Sequence, residues 1–209
     1  MEAVSVPVTV RRTLAAEDAA RADFYALLAR FFVAAPDAAL LANLAAADAI
    51  PADGDPALSR AWRDLVDASS AMDADAARDE FAALFEGVGK AEVSVYAGFY
   101  GGAPSIDHPR VRIQADLAAL GLARPSTVTE PEDHYSGLFE AMRVLVAGGA
   151  ARGAATVAEQ KRFFQDHLQP GMGRFFTAVG RSPAANYYRH VAAVGAAFTA
   201  LESESFQLD

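Results

Sequence analysis

The sequence predicts an all-α protein, a single-domain helical bundle of about eight or nine helices. Three observations carry that expectation. Apolar residues recur at three- and four-residue spacing through most of the chain. Aspartate, threonine and proline stand where helices should begin. No two alternating segments flank a hairpin turn, so a strand pair has no support. The 209 residues suffice to bury a substantial core, and no linker has the low-complexity composition of a hinge between domains.

Residues 1–13 place Val4, Val6, Val8 and Val10 on alternate positions, which suits a loose arm or edge strand; the helical domain is expected over 14–209. The first helix runs from about Leu14 to Ala34, with Ala20, Phe24, Leu27, Leu28 and Phe31 on its apolar face and Arg21 off it. Pro36 opens a second helix through Leu40, Leu41 and Leu44. Asp55 followed by Pro56 reads as an N-cap with proline at the first helical position, and Asp73 caps the next helix. Leu84 and Phe85 form that helix's apolar end, and Gly87 stands where it should stop.

Residues 87–108 are rich in glycine and carry Pro104, yet Val93, Val95, Tyr96, Phe99 and Tyr100 are too apolar for a solvated loop. Such a segment must pack on the body, and long ordered loops often carry function. A helix resumes near Pro109. The stretch TVTEPEDHYSGLFEAMRVL, 127–145, then offers Thr129 and Glu132 as a capping box, with Pro131 in the first turn. Leu138, Met142 and Leu145 face the core. A second capping box, Thr156 with Glu159, opens a helix that should end before Pro170, and Ser182-Pro183 should cap the last helix.

Composition excludes several functions. With no cysteine there is no disulfide, thiolate metal site or cysteine nucleophile. A formal charge of −9 disfavours a nucleic-acid backbone as partner and suits a cationic one. No apolar run approaches the roughly 20 residues that span a bilayer. Arg11-Arg12 is followed by acidic residues rather than an apolar core, so an export leader is not expected and the protein reads as cytoplasmic. GFYGG at 98–102 lacks the lysine of a phosphate loop, and the four histidines fall on four segments without paired Glu-x-x-His motifs. No metal and no cofactor is expected. Asp133 and His134 could act as acid and base, but neighbours on a helix diverge by about 100°.

Certain stretches then point to a family. They are FYALLARFF (24–32) before a proline and leucines up to residue 44, EFAALFEG (80–87), SVYAGFYG (94–101), LGL with EPEDH (120–134), QKRFFQDHLQP (160–170) and NYYRHVAAV (186–194). Their order resembles the TorD/DmsD family of redox-enzyme maturation chaperones over about residues 20 to 200. The resemblance implies a helical chaperone, not an enzyme. Its partners would be the twin-arginine leader and the apo form of a molybdopterin oxidoreductase subunit, held in the cytoplasm until the cofactor is inserted. Pro131, Asp133 and His134 match the family's peptide-binding motif, and Leu84, Phe85 and Tyr96 match positions of its neighbouring groove. Two positions depart from the pattern, Gly98 where serine is usual and Gly171 where tryptophan is usual. The resemblance leaves GTP as an alternative ligand, and a helical interaction protein without an exported client as another. A monomer, or a dimer swapped about the 87–108 loop, would suit the chain.

Overall fold

A computed structural model describes residues 15–50, 55–86, 91–101, 109–122, 130–150 and 152–208. The fold is all-α, with no strand among the described residues. In order the helices are α1 (Ala16–Val33), α2 (Ala38–Ala45), α3 (Pro56–Ala71), α4 (Ala74–Phe85), α5 (Ala97–Tyr100), α6 (Pro109–Ala119), α7 (Tyr135–Ala147), α8 (Val157–Phe163), α9 (Gln169–Arg181) and α10 (Tyr188–Leu208). The proposed arm, residues 1–13, lies outside the described residues, as do Gly87 and residues 102–108 of the long loop. Among the described residues no helix is long and apolar enough to cross a membrane.

Helix α1 packs along α7, α10 lies across α9 and α3, and α2 closes against α3. Their shared core is aromatic. Phe32 of α1 is its hub, with Phe85, Phe139, Phe175, Phe176 and Tyr188 around its ring at centroid distances from 4.8 to 6.2 Å. Edge-to-face and tilted pairs dominate, the geometry aromatic quadrupoles prefer.

Most expected starts appear. Asp55 accepts the Leu58 N–H at 2.7 Å, Asp73 accepts from Asp75 and Ala76, and Thr156 with Glu159 forms the capping box. Others need correction. The apolar face of α1 is wider than expected: Leu28 and Phe31 are buried and Phe24 and Leu27 pack half-buried on the core as expected, but Tyr25 and Phe32 are buried too, whereas Ala20 is exposed. The helix expected to end before Pro170 does not end there. A π turn over Phe164–Leu168 joins α8 to α9, so that Pro170, which has no N–H to donate, falls in the first turn of α9. Nor does Ser182-Pro183 cap the last helix. Ser182 Oγ accepts from the Ala184 N–H and donates to Glu92, and α10 starts at Tyr188. Its end is closed by Glu80 of α4, whose carboxylate accepts the N–H groups of Asn186, Tyr187 and Tyr188 at 2.7 to 2.9 Å.

Candidate functional site

The start of α7 differs from expectation in a way that builds the site. Thr129 lies outside the described residues, and the chain from Glu130 to Asp133 is not helical. Pro131 to His134 form a tight turn, closed by the His134 N–H donating to the Pro131 carbonyl at 3.0 Å. His134 itself is the N-cap of α7, its Nδ1 accepting from the Ser136 N–H at 3.2 Å and lying 2.7 Å from Ser136 Oγ. An imidazole nitrogen that accepts a backbone N–H carries its lone pair there, which assigns the ring proton to Nε2.

This turn is held against the long loop by one antiparallel bridge between Tyr96 and His134. Ala97 N–H donates to the Asp133 carbonyl at 2.8 Å, and Tyr135 N–H donates to the Val95 carbonyl at 2.9 Å. The Tyr96 ring stands edge-on to the His134 ring, 5.4 Å between centroids. The loop is anchored below by Val93, Val95, Ala97 and Tyr100, all buried. Tyr100 nests on α9 because Gly171 has no side chain: a Cβ there would come within 2.9 Å of Tyr100 Cβ and 2.8 Å of the Tyr135 hydroxyl. The glycine standing where a tryptophan was expected is thus the residue that lets α5 settle on α9.

What the bridge leaves on the surface is two aromatic rings, Phe99 at 68 % and Tyr96 at 39 % exposure. Beside them Asp133 is only 8 % exposed. Its carboxylate accepts no hydrogen bond and makes no ion pair among the described residues. Glu132, next in the turn, differs: Gln114 and Arg110 of α6 bind it, with Arg110 Nε at 2.9 Å, and the Gln114 hydrogen bond leads in bringing its pKa down to about 2. Burial lowers the pKa of His134 below its usual value, while Glu130 and Asp133 oppose that shift.

A family model described as nitrate reductase delta subunit matches residues 52–177. The chain belongs to the nitrate reductase delta subunit family. That family is one of chaperones for redox-enzyme maturation, serving molybdoenzymes. No curated protein matches the sequence. The match to the delta subunit family takes in the whole site, from α4 through the Tyr96 loop to the Pro131–His134 turn, and leaves α1, α2 and α10 outside.

Of the residues expected at the site, the structure brings Pro131, Asp133, His134 and Tyr96 together. It does not bring Leu84 and Phe85 to the same surface. Leu84 has no exposed area, and the Phe85 ring packs on Phe32, Phe81 and Tyr188. Their link to the site is indirect, through the Val93 N–H on the Leu84 carbonyl at 2.9 Å. The most exposed aromatic, Phe99, and the glycine beside Asp133, Gly98, were not among the expected site residues. An apolar ring in a glycine-rich stretch is the sequence signal for the first; for the second there is none, because the contact with Asp133 spans 35 positions.

Proposed function

We propose that the protein binds the twin-arginine leader and apo form of a molybdopterin oxidoreductase subunit in the cytoplasm, holds it during cofactor insertion and so delays export. The observation that carries this is Asp133, a residue only 8 % exposed whose carboxylate has no partner among the described residues, next to the exposed rings of Tyr96 and Phe99. A largely sheltered carboxylate that keeps its acceptor oxygens open is matched to an incoming cation. A leader supplies that cation as arginine and follows it with an apolar helix-prone run, for which the two rings offer an apolar ledge. Neutral His134, donating from Nε2, adds a second polar group without adding a repelling charge. The net charge of −9 favours encounter with a dibasic peptide.

Titration calorimetry with the twin-arginine leader of a molybdopterin oxidoreductase subunit tests the reading, against the same peptide carrying Lys-Lys for Arg-Arg. Saturable binding that weakens in the control is expected, and Asp133→Asn should cost about tenfold or more, the scale of one charge-assisted hydrogen bond. A folded protein that shows no saturation at about tens of micromolar peptide would overturn leader binding.

A further inference from the structure

Glu132 and Asp133 are the two central residues of the tight turn, and their carboxylates meet different neighbours. Asp133 Oδ2 lies against α5, 3.1 Å from where a Cβ on Gly98 would stand. Glu132 faces α6, where Gln114 and the guanidinium of Arg110 hold it, with Arg110 Nε 2.9 Å from Oε2. The turn therefore offers one open carboxylate and one already taken by an arginine of the chain itself. Arg110 is poorly placed to hold it permanently. It stands second in α6, Arg112 shares that first turn, and no acidic residue lies beside them there. Cations at a helix N-terminus oppose the dipole, so Glu132 is the counter-charge that lets α6 start where it does. The Arg110 side chain is also 44 % exposed, so water can receive it when it lets go. Nor is α6 deeply seated. Ile113 is its one buried residue, and two further polar ties lie toward its far end, Asp116 on His167 at 2.8 Å and the Leu120 carbonyl on Arg152 at 2.6 Å.

We propose that Glu132 is a second arginine subsite, kept occupied by Arg110 until an arginine of the leader displaces it, so that the turn reads two adjacent arginines, one on Asp133 and one on Glu132. This rests on the leader-binding reading above. In an extended peptide neighbouring side chains point to opposite faces. The two carboxylates diverge likewise, one toward α5 and one toward α6, so a consecutive pair of arginines suits them. The exchange on Glu132 replaces one guanidinium by another and keeps the charge-assisted hydrogen bond. Arg110 is tethered beside Glu132 and competes at high effective concentration, which a lone arginine from solution does not match. A dibasic ligand does match it: once its first arginine is on Asp133, its second competes for Glu132 from within the complex. The requirement for two arginines then follows from the internal competitor.

The test is calorimetric titration of the full-length protein, as wild type, Arg110→Ala, Arg112→Ala and Glu132→Gln, with the Arg-Arg leader and its single-arginine forms Arg-Gln and Gln-Arg, beside melting curves of each variant. Arg110→Ala removes the competitor and should tighten binding of the Arg-Arg leader by about three- to tenfold. Arg112→Ala takes the same charge from the same turn without opening Glu132, so it controls for the general field around the site. An equal gain in Arg112→Ala, or no gain in Arg110→Ala, overturns the proposal and leaves leader binding intact. Glu132→Gln should lose about tenfold toward Arg-Arg and less toward the single-arginine forms; equal losses toward all three peptides also overturn it. Hydrogen exchange on wild type gives a readout free of any folding defect. The amides of Ile113 to Asp116 bond back into the first turn of α6, and saturating leader should speed their exchange by taking the counter-charge from that turn. Unchanged or slower exchange there overturns the displacement of Arg110. Failure of wild type to bind the Arg-Arg leader at all removes the leader-binding reading, and this proposal with it.

Discussion

At the scale of single residues, His134 ties the stability of the turn to pH. Its pKa lies below the usual 6.5 because burial disfavours the imidazolium. The unfolded chain therefore binds the proton more readily than the folded one. Stability from this residue is complete above pH 6.5 and is lost as pH falls from there through the folded pKa. His167 of the π turn acts in the same direction, burial prevailing over its 2.8 Å contact with Asp116. Melting temperature should thus decline between about pH 7 and pH 5, and His134→Asn, which retains a side-chain acceptor for the Ser136 N–H, should decline less steeply. Parallel curves for the two proteins would show that His134 does not titrate against the fold. Glu132 acts separately and lower: with its pKa brought to about 2, its contribution is lost only below pH 4.5. The motif Pro131, Asp133, His134 was legible in the sequence as a group of residues, but its setting was not. A capping box at Thr129 and Glu132 is a local signal. The bridge to Tyr96 that actually ends the turn is made by residues 38 positions apart, beyond the reach of any local pattern.

At the scale of elements, the caps divide along the same line. Asp55, Asp73 and Thr156 each serve the helix that follows them directly, so sequence order alone located them. The cap of α10 comes from α4, more than a hundred residues earlier, and Ser182-Pro183 imitated it locally. Glu80 accepts three backbone N–H groups at the end of a 21-residue helix, and those groups have no intrahelical acceptor of their own. Glu80→Ala should cost about 1–3 kcal/mol in denaturant unfolding, Glu80→Gln less because one amide oxygen still accepts, and Ser182→Ala less than Glu80→Ala. Equal losses in Glu80→Ala and Ser182→Ala would restore the serine as the effective cap. The π turn was illegible for a different reason. Proline predicts a helix boundary, and the helix met it by adding a residue to one turn rather than by stopping.

At the scale of the whole molecule, the two helices outside the family match at either end of the chain are tied by a buried ion pair. Arg21 of α1 grips Glu202 of α10 with Nε at 2.7 Å and Nη2 at 2.9 Å, while the Tyr25 hydroxyl donates to the same carboxylate at 2.8 Å. The guanidinium also lies 5.4 Å above the Phe206 ring, and Glu202 is 2 % exposed. Burial disfavours the Arg21 charge, but Glu202 more than offsets this and holds its pKa above the ordinary value; burial, reinforced by Glu202, raises that of Tyr25. From the sequence Arg21 was a polar residue off the apolar face, since its partner lies 181 positions away. Removing one member strands the other, so Arg21→Met should cost about 3–5 kcal/mol by leaving a buried, unpaired carboxylate. Removing both should cost far less, because Arg21→Met with Glu202→Leu replaces two charges by apolar groups of similar volume, leaving only the Tyr25 hydroxyl without its acceptor and Asp18, more exposed, without its 3.0 Å contact to Arg21. Chemical denaturation of wild type, both single variants and the double variant closes the cycle. A double variant as unstable as the sum of the singles would mean the pair is not coupled and that α1 and α10 are joined by their apolar contacts alone. A strong positive coupling, with leader affinity unchanged in the double variant, would place this clamp in the stability of the bundle and leave recognition to the surface around Asp133.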